Sequence, residues 1–136
     1  AAAPHDRVAA AGPAADSVSG AAAGSRYAED GIYDVAPTPV VGADALGQLV
    51  QGEARHRLIA RGCAHLQGIP HVTVDRDTAV AVNHSVVFLN SPDGFDVWRV
   101  AANRWEFRRT SEGWKVVRRV NRLLDGEAAA AALLAI

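Results

Sequence analysis

A chain of 136 residues has room for one domain with a real core, since folding at that length buries roughly two thirds of the surface the unfolded chain exposes. A formal net charge of −1 supplies no global pull toward nucleic acid or an anionic membrane, which excludes partners of either kind recognised by bulk charge. The one cysteine, Cys63, excludes an internal disulfide and fits a reducing, cytoplasmic setting.

The opening AAAPHDRVAAAGPAAD has no basic-then-apolar export profile and no apolar run of membrane-spanning length, so neither a signal nor a span is expected. Residues 1–12 read as a ragged terminus. A helix is expected from about Pro13 to Tyr27, weakened by Gly20 and Gly24 at about 1 kcal/mol each, although small residues there would let another element or a ligand approach closely. GIYDVAPTPVVG then supplies a short strand at Ile32 to Val35 and a Pro-bearing loop that no helix crosses. In ADALGQLVQGEARHRL, Leu46, Leu49 and Val50 recur at helical spacing, and Asp44 near the start complements the helix dipole.

Beyond residue 62 the pattern changes to strands. GCAHLQG reads as short and extended, HVTVD as a strand, DRDT as a turn, and TAVAVNHSVVFLN as a long strand ending at SPDG. FDVWRVAANRWEFRR and GWKVVRRVNRLL follow as long strands joined by TSEG, giving an antiparallel meander. The tail from residue 127 to 136 is helix-prone or frayed. Helices first and a curled sheet afterwards make an α+β plan in which helices cover one sheet face. Along the long strand, alternation puts His84 on the face of Val80, Val82, Val86 and Phe88, which reads as the buried one.

The runs DSVSGAAAGSRYAEDGIYDV, GCAHLQGIPHVTVDRDTAVAVNHSVVF and ANRWEFRRTSEGWKVVRRVNRLLDG resemble the SnoaL-like branch of the nuclear transport factor 2-like superfamily. "YAEDGIY" and "GWKVVRRVNRLLDG" are its most specific features, and the likeness covers residues 13 to 126. The resemblance implies a cone-shaped curved antiparallel sheet, wrapped by N-terminal helices around an apolar pocket. It also implies a homo-oligomer, a dimer first and a trimer second. Members include scytalone dehydratase and bile acid 7α-dehydratase, in which a carboxylate near the first helix pairs with a histidine on the first strand after the helices. Carried onto this chain, the carboxylate falls on Asp16 and the histidine on His65; a second pocket histidine falls on His84 and an asparagine on Asn103. Where those dehydratases place a tyrosine beside the carboxylate this chain has Ala15, so a phenolic donor would have to come from Tyr27 or Tyr33.

An Asp-His pair in an apolar cavity suits proton abstraction, because the carboxylate orients the imidazole and opposes the lowering of its pKa by burial. His65 would take a proton alpha to a carbonyl, Asp16 would fix its tautomer, and His84 with Asn103 would hydrogen-bond the developing enolate or a departing hydroxyl. Tyr33 and Tyr27 are expected at the pocket wall, binding substrate. The plainer readings are a structural His65 bonded to backbone, a core His84 satisfied by Asn103, and a helix-capping Asp16. Arg118, Arg119, Asn121 and Arg122 read as a sheet surface or subunit contact, although one arginine could reach an anionic substrate. No H-x-H or H-E-x-x-H spacing occurs and no phosphate-cradling glycine loop, so neither a metal nor a cofactor is expected. The function expected is a cofactor-independent lyase, isomerase or cyclase acting on a small apolar cyclic or polyketide-like molecule. The alternative is a non-catalytic ligand-binding or assembly protein of the same fold.

Overall fold

The structure, a computed structural model, describes residues 3–17, 20–35 and 39–136, with the backbone alone at 21–23 and 50. Three short helices come first: α1 (Pro4–Ala9), α2 (Ala11–Asp16) and α3 (Gly20–Ser25). Strand β1 (Tyr27–Val35) and the short β2 (Val40–Val41) lead to α4 (Ala43–Gln51) and α5 (Glu53–Arg61). The sheet is then completed by β3 (Cys63–Gln67), β4 (His71–Asp75), β5 (Thr78–Ser91), β6 (Gly94–Thr110) and β7 (Gly113–Leu123), followed by α6 (Ala128–Leu133).

Strands β5, β6 and β7 form the expected meander, and together with the helices they make the expected α+β fold with a large curved sheet. The sheet runs β2-β1-β7-β6-β5-β3, with β4 also paired to β5. The pairing of β1 with β7 is parallel, placing Ile32 beside Arg118 and Val35 beside Asn121. This long-range pair brings the N-terminal half of the chain against the last strand. The core between sheet and helices is filled by Trp105, Phe107, Val116 and Val8, each at most 1% exposed.

Several elements depart from the sequence-based expectations. Residues 4–9, inside the stretch read as ragged, form a helix whose Val8 enters the core and whose Arg7 Nε donates to the Trp114 carbonyl at 3.0 Å. The helix expected from Pro13 to Tyr27 is divided into α2 and α3, and β1 begins at Tyr27 rather than Ile32. The helix expected after Asp44 breaks at Gly52 into α4 and α5, glycine being a weak helix former that readily takes the extended conformation seen there. The expected Pro-bearing loop falls partly on residues 36–38, outside the described residues.

Small residues do bring elements close together. A Cβ on Gly24 would lie 2.7 Å from the Ala43 carbonyl oxygen, and one on Gly47 would lie 2.9 Å from that of Gly20, so α3 and α4 cross at backbone contact. At Gly12 a Cβ would overlap the backbone carbonyl of His65, and it is this bare surface that seats α2 on β3. Gly12→Ala should therefore destabilise the fold, although an ordinary helix interior gains about 1 kcal/mol from that exchange. Urea titration showing a raised midpoint for this variant would refute the close seating of α2.

Candidate active site

The seating of α2 on β3 puts the last residue of the helix, Asp16, against the middle of the strand. Asp16 Oδ2 accepts the backbone N–H of His65 at 2.8 Å, and Oδ1 lies 2.6 Å from His65 Nδ1. Both carboxylate oxygens are thus engaged by one residue, which fixes the imidazole as well as the strand. The Arg55 guanidinium of α5 lies against the ring, its Nη1 in contact with Nε2 and 3.4 Å from Nδ1. A carboxylate only accepts, so the proton lies on Nδ1, shared with Asp16, and in the neutral ring Nε2 is the basic atom. His65 is held neutral, with its basic atom aimed away from Asp16.

The pKa of His65 follows from the same surroundings. Burial lowers it below the ordinary 6.5, the positive charges of Arg55 and Arg119 act in the same direction, and the hydrogen bond and charge of Asp16 oppose them. In an NMR titration, Asp16→Asn should lower the His65 pKa further and Arg55→Gln should raise it; no movement in either variant would disprove the coupling. Since the unfolded imidazole holds its proton more tightly than the native one, stability contributed by this group is present above pH 6.5 and is lost as pH falls below it.

The dyad opens onto a cavity of about 290 Å³ between the helices and the sheet. Apolar walls come from Leu46 and Leu49 of α4, Leu58 of α5 and Val87 of β5, with Trp98 of β6 half exposed at the mouth. Tyr27 and Tyr33 line it too, as expected for them, and burial raises the Tyr27 phenol so that it remains protonated. The polar lining includes Ser85, Arg99, Arg119 and Asn121. Arg119 is buried, its guanidinium 4.2 Å from the centre of the Trp105 ring and 4.6 Å from that of Tyr33.

Asn103 is fully buried and acts as the keystone beneath this lining. Its Oδ1 accepts from Arg119 Nε at 2.9 Å and Asn121 Nδ2 at 2.8 Å, and its Nδ2 donates to Ser85 Oγ at 2.9 Å. Rather than meeting a ligand itself, it aims three residues that line the cavity. His84 requires a correction. It is exposed and does not line the cavity, because the inward face of β5 is the one carrying Ala79, Ala81, Asn83, Ser85, Val87 and Leu89. Asn83 and Ser85 tolerate that face because they are hydrogen-bonded there: Asn83 to Trp105, Gln67 and Gly68, Ser85 to Asn103. His84 is therefore placed to serve neither the dyad nor the pocket floor.

Reading by spacing alone passed over Arg55 and Arg99 and left Arg119 undistinguished among the residues of the last strand. For Arg119 the strand alternation was visible, yet nothing in it distinguishes the inward arginine from its neighbours. Cys63 Sγ lies 3.7 Å from His65 Nδ1, so Asp16, Cys63 and His65 present donor atoms within 4.8 Å of one another. The 2.6 Å contact of Asp16 with Nδ1 is a hydrogen-bond distance, and burial together with Asp16 raises the Cys63 pKa, favouring the thiol over the thiolate that metals bind. The cluster suits a shared proton better than an ion.

The large curved sheet with helices packed against it has the nuclear transport factor 2-like α+β cone fold. The chain belongs to the SnoaL-like domain family of that superfamily, whose profile matches residues 3–120. It is similar to a nuclear transport factor 2-like protein with a cystatin-like fold from Novosphingobium aromaticivorans, with 47% identity, a TM-score of 0.94, and coverage of 97% of this chain and 86% of that one. A protein of unknown function from Mycobacterium tuberculosis shares the fold at 20% identity, with a TM-score of 0.77 and coverage of 93% and 79%. So does Aln2 from a Streptomyces species, at 17% identity, TM-score 0.75, and coverage of 88% and 86%. No curated protein matches the chain.

Proposed function

We propose that this protein is a lyase, isomerase or cyclase that works by His-Asp proton transfer on a small, largely apolar cyclic molecule. The observation that carries the reading is His65 in the lining of the cavity, its Nδ1 2.6 Å from the Asp16 carboxylate and its Nε2 beside Arg55. Nε2 takes a carbon-bound proton, and the resulting imidazolium is stabilised by the Asp16 carboxylate. The released electron pair moves onto a carbonyl oxygen as an enolate, or forms a carbon–carbon double bond as a hydroxyl leaves. Arg119 replaces His84 as the group that stabilises the negative charge, since its guanidinium lines the cavity and is fixed by Asn103. This chemistry needs no cofactor.

The free thiol of Cys63 accords with a cytoplasmic setting, and among the described residues no helix is long and apolar enough to cross a membrane. Exposed Phe95, Val97 and Leu123 accord with a homo-oligomer in which a second copy covers the sheet.

Incubation with cyclic ketones and β-hydroxy carbonyl compounds in deuterated water tests the activity. Deuterium should enter at the carbon alpha to the carbonyl. Binding without exchange by every ligand would make this a carrier or assembly protein instead.

A further inference from the structure

We infer that the molecule this site acts on carries a carboxylate or comparable anion, and that Arg55 both recognises the anion and uncovers His65 as it binds. The inference rests on the proton-transfer reading and adds to it the substrate class.

The arginines of the sheet divide into two sets. Outward ones meet carboxylates: Arg118 and Arg122 hold Asp34 at 3.0 and 2.8 Å, Arg108 faces Asp30 at 3.8 Å, and Arg109 faces Asp77 at 3.4 Å. Arg99 and Arg119, which line the cavity, together with Arg55 from α5, make no ion pair among the described residues. Their partners are neutral: Arg99 Nη2 donates to Asn121 Oδ1 at 2.6 Å, Arg119 to Asn103, and Arg55 to the imidazole. Asp16, the one carboxylate beside the cavity among the described residues, already has both oxygens on His65. With Arg26, which also lines the cavity, four guanidiniums therefore border a largely apolar space, and Asp16 is a counter-charge already committed. Holding like charges there is costly, and an anion entering the space offsets the cost.

Arg55 links this charge to the chemistry. Its Nη1 lies against the imidazole, in contact with Nε2 and 3.4 Å from Nδ1, so the atom that must receive the substrate proton is crowded by the same group that would meet an anion. A carboxylate is a far better acceptor for a guanidinium than a neutral imidazole is, and it accepts two parallel N–H bonds from one edge of it. As the anion arrives Arg55 transfers to it, and Nε2 is exposed to the substrate carbon in the same event. A neutral molecule of the same shape offers Arg55 no such partner.

Calorimetry with benzoate and its neutral counterpart benzamide tests this, alongside nitrogen NMR of the His65 ring. Wild-type protein should bind benzoate about tenfold or more tightly than benzamide, Arg55→Gln should remove most of that preference, and Arg55→Lys should retain part of it. Arg55 is half-buried on a helix surface, so glutamine there leaves the fold intact, which circular dichroism checks. The His65 Nε2 resonance should shift with benzoate in the wild type and much less in Arg55→Gln. Equal affinity for the two probes, no detectable benzoate binding, a preference unchanged in Arg55→Gln, or a His65 resonance indifferent to benzoate would each overturn the inference. The outcome is separable from that of the proton-transfer reading. A benzoate preference without any deuterium exchange leaves the anion site and removes the catalysis, and exchange on neutral ketones without a benzoate preference does the reverse.

Discussion

Replacing His65 with asparagine should lower turnover by about 10²–10⁴-fold, the range ordinarily contributed by a positioned acid-base group. Asparagine keeps the backbone N–H that Asp16 accepts, so the link between α2 and β3 survives while the base is lost. Asp16→Asn should also be severe. It removes the charge that stabilises the imidazolium, and the amide can turn its own N–H toward Nδ1 and force the proton onto Nε2, where a base is needed. The two losses should be far from additive, because both residues serve one proton. Exchange of substrate deuterium provides the measurement. Wild-type rates in both single variants, with folded spectra, would remove the dyad from the reaction and return His65 to a structural role.

The largest expected effect on stability lies at Trp105. Its ring is fully buried, stacked on Phe107 with centroids 6.4 Å apart and covered by the Arg119 guanidinium, and its indole N–H donates to Asn83 Oδ1 at 2.9 Å. Trp105→Ala should cost about 3–5 kcal/mol, the usual range for emptying an aromatic site in a core. Domains of this kind are stable by only about 5–15 kcal/mol, so that loss is a large fraction of the whole. Trp105→Phe should cost less, retaining most of the apolar area and leaving Asn83 without one donor. Urea unfolding followed by circular dichroism distinguishes them, and a Trp105→Ala midpoint close to wild type would show that the core does not depend on this ring.

Much of the fold was legible from local pattern. The three long strands and their turns are announced by β-branched and aromatic residues between DRDT, SPDG and TSEG. The site was legible only in part, for a physical reason: Asp16 and His65 come together because α2 seats on β3 through Gly12, and no periodicity within either segment encodes that contact. It was the resemblance that drew the two residues together, while the spacing of histidines was silent. The face of His84 was misread because large aliphatic side chains stand on the outer face of β5, whereas the inner face has small and polar ones that leave room for Trp105 and the cavity. An alternation of hydrophobic residues reports which face is more apolar, and here the more apolar face is not the enclosed one. The parallel union of β1 with β7 was equally hidden, since it joins segments at opposite ends of the sequence.

That parallel union also fixes when the cavity can exist. Ile32 has no partner on β7 until Arg118 has been made, and Arg119 and Asn121, which line the cavity, arrive in the same strand. During synthesis the early helices and β1 therefore wait with their apolar surfaces unpaired while most of the sheet is still being made. Such non-local closure slows folding and leaves nascent chains prone to association. An Asp-His pair assembled early would still face open solvent, so the cavity around it closes in one late step.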